Sequence, residues 1–221
     1  MYWNDLSSHL KAVYGTKVYK LSLSSGCTCP NRDGTLGSRG CVFCDGSGTF
    51  AAAGDIRRQL TAAKARGAAK AGPDARYIAY FQSFTNTYGP VDQLRQLYAA
   101  ALEPEEVAAL SIATRPDCLG PEVLALLAEL REKKPVWVEL GLQTIHPASA
   151  AYIRRGYGLP VFDRAVADLR AIGVTVVVHQ ILGLPGEDRE MMMETARYIG
   201  HSGAEGIKFH LLHVLRGTDL A

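Results

Sequence analysis

Cysteine is the residue type in this chain that stands out for chemistry. Five occur, at positions 27, 29, 41, 44 and 118, and four of them fall between Cys27 and Cys44. An odd, tightly clustered set does not read as a disulfide framework, which spreads an even number over a short secreted chain. It reads as a metal site. Cys41 and Cys44 form a Cys-x2-Cys pair, a spacing that lets two thiolates reach one metal centre. Two metal readings compete. Four thiolates would close a tetrahedral structural zinc site. Three would hold an iron–sulfur cluster and leave one iron open to a further ligand. On a reading that sets Cys27 and Cys29 on opposite faces at the end of a strand, the two do not bind one ion. The three-ligand set is then Cys29, Cys41 and Cys44. Gly34, Gly37 and Gly40 allow tight turns that would bring backbone N–H groups toward the sulfurs. Cys27 reads as a small residue packed beside the loop, and Cys118 as a partly buried thiol.

The cysteine segment, residues 24–49, has no hydrophobic period and reads as a long functional loop. It follows an alternating stretch, Val18–Leu23, which predicts a strand. Further strands are expected at 77–81, 110–113, 136–142, 174–182 and 207–212. Helices are expected at 55–70 (capped by Asp55), 91–102, 121–132 (with Pro121 in its first turn), 147–154, 160–171 and 187–202. Strand and helix alternate six times, so the fold class is α/β. A parallel sheet with outer helices, wound as a partial (β/α)6 barrel, is predicted. The cysteine loop then lies at the C-terminal end of the first strand, on the face where such barrels carry active sites. Residues 1–221 are expected to form a single domain. The stop after the sixth strand, with no covering helix, suggests a longer protein.

The 221 residues carry 24 Lys+Arg against 22 Asp+Glu, and 48% are hydrophobic. This balance excludes a disordered chain and gives no electrostatic footprint for nucleic acid. The basic residues Arg57, Arg58, Lys64, Arg66 and Lys70 read as a solvated helix face. No apolar run reaches membrane-spanning length, and the N-terminus has no signal-peptide pattern. A cytoplasmic protein is expected.

The stretch SSGCTCPNRDGTLGSRGCVFC resembles the cluster loop of radical-SAM proteins, most closely the bacterial YhcC-type branch near the catalytic subunit of Elongator. YFQSFTNTY (80–88), TRPDC (114–118), ELGLQT (139–144), IRRGY (153–157), ILGLPGE (181–187) and GIKFHLLH (206–213) resemble the same branch, in order. The usual superfamily motif is Cys-x3-Cys-x2-Cys. Here eleven residues lie between Cys29 and Cys41, as the resembling branch has it.

The resemblance implies a [4Fe–4S] cluster on Cys29, Cys41 and Cys44, with S-adenosylmethionine on the fourth iron. One electron, from a donor such as flavodoxin or ferredoxin, would cleave S-adenosylmethionine to methionine and a 5′-deoxyadenosyl radical, which takes hydrogen from a substrate. It implies Phe43 against the adenine. Gln82, Ser83 and Thr85 fall where relatives bind the methionine amino group. Gln143 and Arg155 fall where oxygen-independent coproporphyrinogen oxidases contact ribose and carboxylate, and an Arg fork suits a carboxylate. His179 takes a ribose-binding position, and Leu182 with Gly183 lets the chain pass near the adenine. His210 and His213 lie near the last strand end. RNA enters as a substrate only by analogy with Elongator. The contrasting reading is a zinc-stabilised RNA-binding module without radical chemistry.

Overall fold

The computed structural model describes residues 4–46, 54–67, 72 and 74–221. The expected positions 47–49, 68 and 69, and Lys70 lie outside these. Among the described residues six strands form one sheet: β1 (Val18–Leu23), β2 (Arg76–Phe81), β3 (Val107–Thr114), β4 (Val136–Gln143), β5 (Thr175–Leu182) and β6 (Gly206–Leu211). They lie in sequence order and every neighbouring pair is parallel. The sheet curls into the half-barrel that the alternation predicts.

Helices α2 (Ile56–Gly67), α3 (Val91–Leu102), α4 (Pro121–Arg131), α5 (Pro147–Tyr152), α6 (Leu159–Ala171) and α7 (Arg189–His201) connect the strands. Asp55 caps α2 by accepting from the Arg58 N–H at 3.0 Å. The main core lies between sheet and helices. In it Leu23, Phe81, Leu110, Val138 and Val176 of the strands meet Leu60, Tyr98, Leu126 and Phe162 of the helices. Strand alternation puts the intervening residues on the concave face. After β6, residues 212–221 run without helix.

Two elements among the described residues were not anticipated, a short 3-10 turn at Pro116–Cys118 and an N-terminal helix. Leu6–Tyr14 forms a helix, α1, with Asp5 accepting from the Ser8 N–H and Gly15 closing it at φ 69°. Its Leu10 packs with Ile78, Ala109 and Trp137. Those three stand two residues before Tyr80, Ser111 and Glu139 on their strands, so they share the concave face. α1 therefore plugs the lower end of the half-barrel with an apolar floor.

Candidate active site

A polar layer lies above that floor, built from one side chain of every strand. Its centre is Glu139 of β4, fully buried. Glu139 Oε1 accepts from Lys20 of β1 and from the Ser111 hydroxyl of β3 at 2.7 Å. Glu139 Oε2 accepts from the Tyr80 hydroxyl of β2 at 3.0 Å, His179 Nε2 of β5 at 2.7 Å and Lys208 of β6 at 3.3 Å. Burial alone pushes this carboxyl up, but the His179 hydrogen bond and the two ammonium groups outweigh it and hold Glu139 ionised. Burial keeps His179 neutral, its pKa lowered despite Glu139. The His210 ring lies 4.7 Å from that of His179. Burial, followed by the nearby His179 and Lys208, brings His210 down to about 4.

Above this layer a cleft of about 250 Å³ opens at the C-terminal ends of the strands. Cys29, Cys41 and Cys44 line one side, with Phe43. Gln82, Gln143, Arg155, His179 and His210 complete much of the rest. Ser83 and Leu182 are not among the lining residues. Leu182 instead lends its carbonyl to the Leu212 N–H at 3.0 Å. Thr85 also lines the cleft, and its hydroxyl, like His210 Nε2, is buried with no partner. Buried polar groups are normally paired; Gln180 Oε1 and Glu187 Oε2 are the same kind of exception at residues that do not line the cleft. His213 is exposed and is not among the lining residues.

The cysteine loop is held by specific contacts. The turn after β2 ties down its start: Ser25 donates to Asn86 Oδ1 at 2.6 Å, and the Thr85 N–H to the Thr28 carbonyl at 3.2 Å. The Arg32 side chain fills the loop and donates to the Cys44 carbonyl at 2.5 Å. Gly40, at φ 74°, lets the chain pass over that guanidinium, where a Cβ would stand 2.9 Å from it. The hydrogen bond to a cysteine sulfur comes from a side chain rather than from glycine N–H groups: Asn31 Nδ2 lies 3.4 Å from Cys41 Sγ. Burial raises the Cys41 thiol pKa, and the Asn31 bond works against it. Leu220 donates its N–H to the Val42 carbonyl, and Asp219 pairs with Arg39 and Arg154, so the last residues strap the loop from outside.

Cys27 separates from the other three, as expected, but not for the expected reason. Residues i and i+2 of a strand share a face. The strand ends at Leu23, and Gly26 at φ 75° turns the chain. Cys27 then packs against the main core. Among the described residues no three Cys, His, Asp or Glu side chains are arranged for a single ion. A cluster spreads its thiolates over three irons, so it needs no such convergence. No observation favours the closed zinc site. Cys118 lines a separate depression, with burial and then the Asp117 charge raising its thiol to about 12.

Arg155 is not a free fork. It is 5% exposed. Its Nη1 donates to the Leu142 and Thr144 carbonyls and its Nε to the Tyr157 carbonyl. Only Nη2 is left, so the two-nitrogen grip expected of it is not available. Sequence reasoning missed Glu139, Arg115, Tyr157 and Asn31 as individuals, although each lies in a stretch that carries the resemblance. Arg115 grips Asp117 through two nitrogens, at 2.9 and 2.7 Å. The Arg115 and Arg155 guanidinium groups lie 5.1 and 5.0 Å from the Tyr157 ring centre. Among the described residues three that are not glycine have positive φ: Phe84, Gln143 and Arg154. The first two line the cleft and the third adjoins Cys41. Such strain gathers at functional sites.

Residues 29–199 match the model of the Radical SAM superfamily. The chain belongs to that superfamily. YtqA of Bacillus subtilis is 46% identical over 222 residues, covering 99% of this chain and 69% of the relative. YhcC of Escherichia coli is 38% identical, covering 99% of this chain and 71% of YhcC. The archaeal Methanocaldococcus infernus Elp3 superposes with a TM-score of 0.67 at 18% identity, over 92% of this chain and 47% of Elp3. The coproporphyrinogen III oxidase HemN of E. coli gives 0.60 at 16%, over 96% of this chain and 48% of HemN. The two solved structures show the shared radical SAM half-barrel. No helix among the described residues is long and apolar enough to cross a membrane.

Proposed function

We propose that this chain is a radical SAM enzyme that carries a [4Fe–4S] cluster on Cys29, Cys41 and Cys44 and binds S-adenosylmethionine in the adjoining cleft. The observation that carries the reading is that these three thiols, and neither Cys27 nor Cys118, face the cleft at the strand ends. When bound, the cluster supplies the electron that cleaves S-adenosylmethionine to methionine and the 5′-deoxyadenosyl radical, the hydrogen-abstracting species.

The chain's own residues bind and orient. His179 donates Nε2–H to Glu139, which leaves Nδ1 as an acceptor for a ribose hydroxyl. Phe43 packs its inner side against the small cluster of Val42, Ile153, Ile181 and Leu184 and keeps a face toward the cleft for the adenine. Gln143, held in the left-handed region, offers its amide to the ribose. Gln82, Ser83 and Thr85 form the turn assigned to the methionine amino group, with Thr85 contributing its unpartnered hydroxyl. Arg155 shapes the cleft wall and offers Nη2 alone to a carboxylate. Leu182 acts through its backbone at the adenine end. Residues 1–221 act as one domain in the cytoplasm, served by a soluble one-electron donor of the flavodoxin or ferredoxin kind.

The test is anaerobic reconstitution with iron, sulfide and zinc counted, then dithionite and S-adenosylmethionine with 5′-deoxyadenosine as readout. About four irons per chain and 5′-deoxyadenosine are expected. Zinc in place of iron, or a full cluster that yields no 5′-deoxyadenosine, overturns the proposal.

A further inference from the structure

Asn31 stands next to the cysteine triad without belonging to it. It is 5% exposed, in the loop between Cys29 and Cys41. Its amide nitrogen donates to the Arg154 carbonyl at 2.7 Å and lies 3.4 Å from Cys41 Sγ. The Arg154 carbonyl can only accept, so it fixes which end of the amide faces it. Both N–H bonds are then assigned, one to the carbonyl and one to the sulfur. Three features hold the group in place. Arg154, whose carbonyl receives the Asn31 amide, has a left-handed backbone, φ 58°. The Asn31 carbonyl accepts from the Gly40 N–H at 2.7 Å, one residue before Cys41. Gly156 leaves room on the other side, since a Cβ there would stand 3.3 Å from Asn31 Oδ1.

We infer that Asn31 is a positioning residue that sets the reduction potential of the cluster through an N–H···S hydrogen bond to Cys41. The inference rests on the cluster reading above. A hydrogen bond to a ligand thiolate draws off negative charge, and the reduced cluster carries one electron more than the oxidised one. The bond is therefore stronger in the reduced state and raises the potential. Removing it makes the cluster harder to reduce, so a smaller fraction is reduced at a given donor potential. Desolvation of the Cys41 sulfur strengthens the effect, because water does not compete for it.

The test compares anaerobically reconstituted wild type, Asn31→Leu and Asp219→Asn by redox titration followed by electron paramagnetic resonance. Asn31→Leu keeps the volume and loses both donors. Asp219→Asn loosens the strap on Arg39 and Arg154 without touching the N–H···S contact. The expected result is a lower potential in Asn31→Leu and no lowering in Asp219→Asn, where the N–H···S bond remains and the lost carboxylate charge acts in the opposite direction. Wild-type protein labelled with 15N-asparagine adds a measurement that does not depend on a variant loading its cluster. The reduced cluster should show hyperfine coupling to that 15N. Absence of the 15N coupling, or a potential in cluster-loaded Asn31→Leu equal to wild type, overturns the inference. A wild type that takes up no cluster fails the underlying reading instead, and iron and sulfide counts tell the two failures apart.

Discussion

His179 Nε2 lies 2.7 Å from Glu139 Oε2, and this contact decides which ring nitrogen of His179 carries its proton. A carboxylate only accepts, so Nε2 is the protonated nitrogen of the neutral ring. Glu139 also holds Lys20 and Lys208, from the first and last strands of the sheet. One carboxylate thus orients a cleft residue and joins the two edges of an open barrel. Glu139→Gln should cost about 3 kcal/mol, the lower end for breaking a buried ion pair, because both lysines keep partial access to water. Urea unfolding with unchanged slope measures it. A loss under about 1 kcal/mol, the worth of an ordinary hydrogen bond, would show that the carboxylate does not hold the edges.

The adjacent, mutually tilted imidazoles of His179 and His210 predict an acid limit. His179 and His210 both have pKa values lowered by burial, His210 to about 4 from 6.5. A base that is harder to protonate when folded binds fewer protons in the native state than in the unfolded one. Its contribution is complete above about pH 6.5 and is lost as pH falls toward 4. Stability should decline across that window, and His210→Gln should make the decline shallower. An equal slope in the variant would remove His210 as a cause.

Gly40 and Gly34 both have positive φ, but only Gly40 lies against another group. A Cβ at Gly40 meets the Arg32 guanidinium at 2.9 Å, whereas one at Gly34 meets nothing within 4 Å. Alanine at either site costs about 1–2 kcal/mol of left-handed strain. Only Gly40→Ala should also push Arg32 off the Cys44 carbonyl. It should therefore release iron to a chelator several-fold faster than Gly34→Ala. Equal release rates would show that Arg32 does not brace the loop.

Much of the architecture was legible because each strand pairs with its neighbour in chain order, so hydrophobic period alone orders the sheet. The end of β1 and the start of α3 fall where the sequence puts them. Helix α1 was not legible. Its apolar residues serve a barrel floor made by Ile78, Ala109 and Trp137, distant in sequence. Glu139 was not legible as a centre for a similar reason, since its five partners come from five other strands. The three cysteines facing the cleft were legible, but the strand argument that set Cys27 aside was not sound. The break at Gly26 does that work, and it leaves no periodic trace.

Arg155 gives the sharpest test of a residue whose expected role the structure narrows. Its Nε and Nη1 are spent on the Leu142, Thr144 and Tyr157 carbonyls, which hold the bulged end of β4 against the turn after α5. Lysine keeps the charge but cannot reach three carbonyls with one nitrogen in a fixed fork. Arg155→Lys should leave at least one buried carbonyl unpaired, at about 1–3 kcal/mol, in protein that has never met S-adenosylmethionine. A residue kept mainly to grip a substrate carboxylate behaves otherwise: the variant would unfold like wild type and only binding would weaken. Urea unfolding of the ligand-free protein separates the two. A stability loss places Arg155 chiefly in the frame of the cleft, and its absence would return it to the binding role.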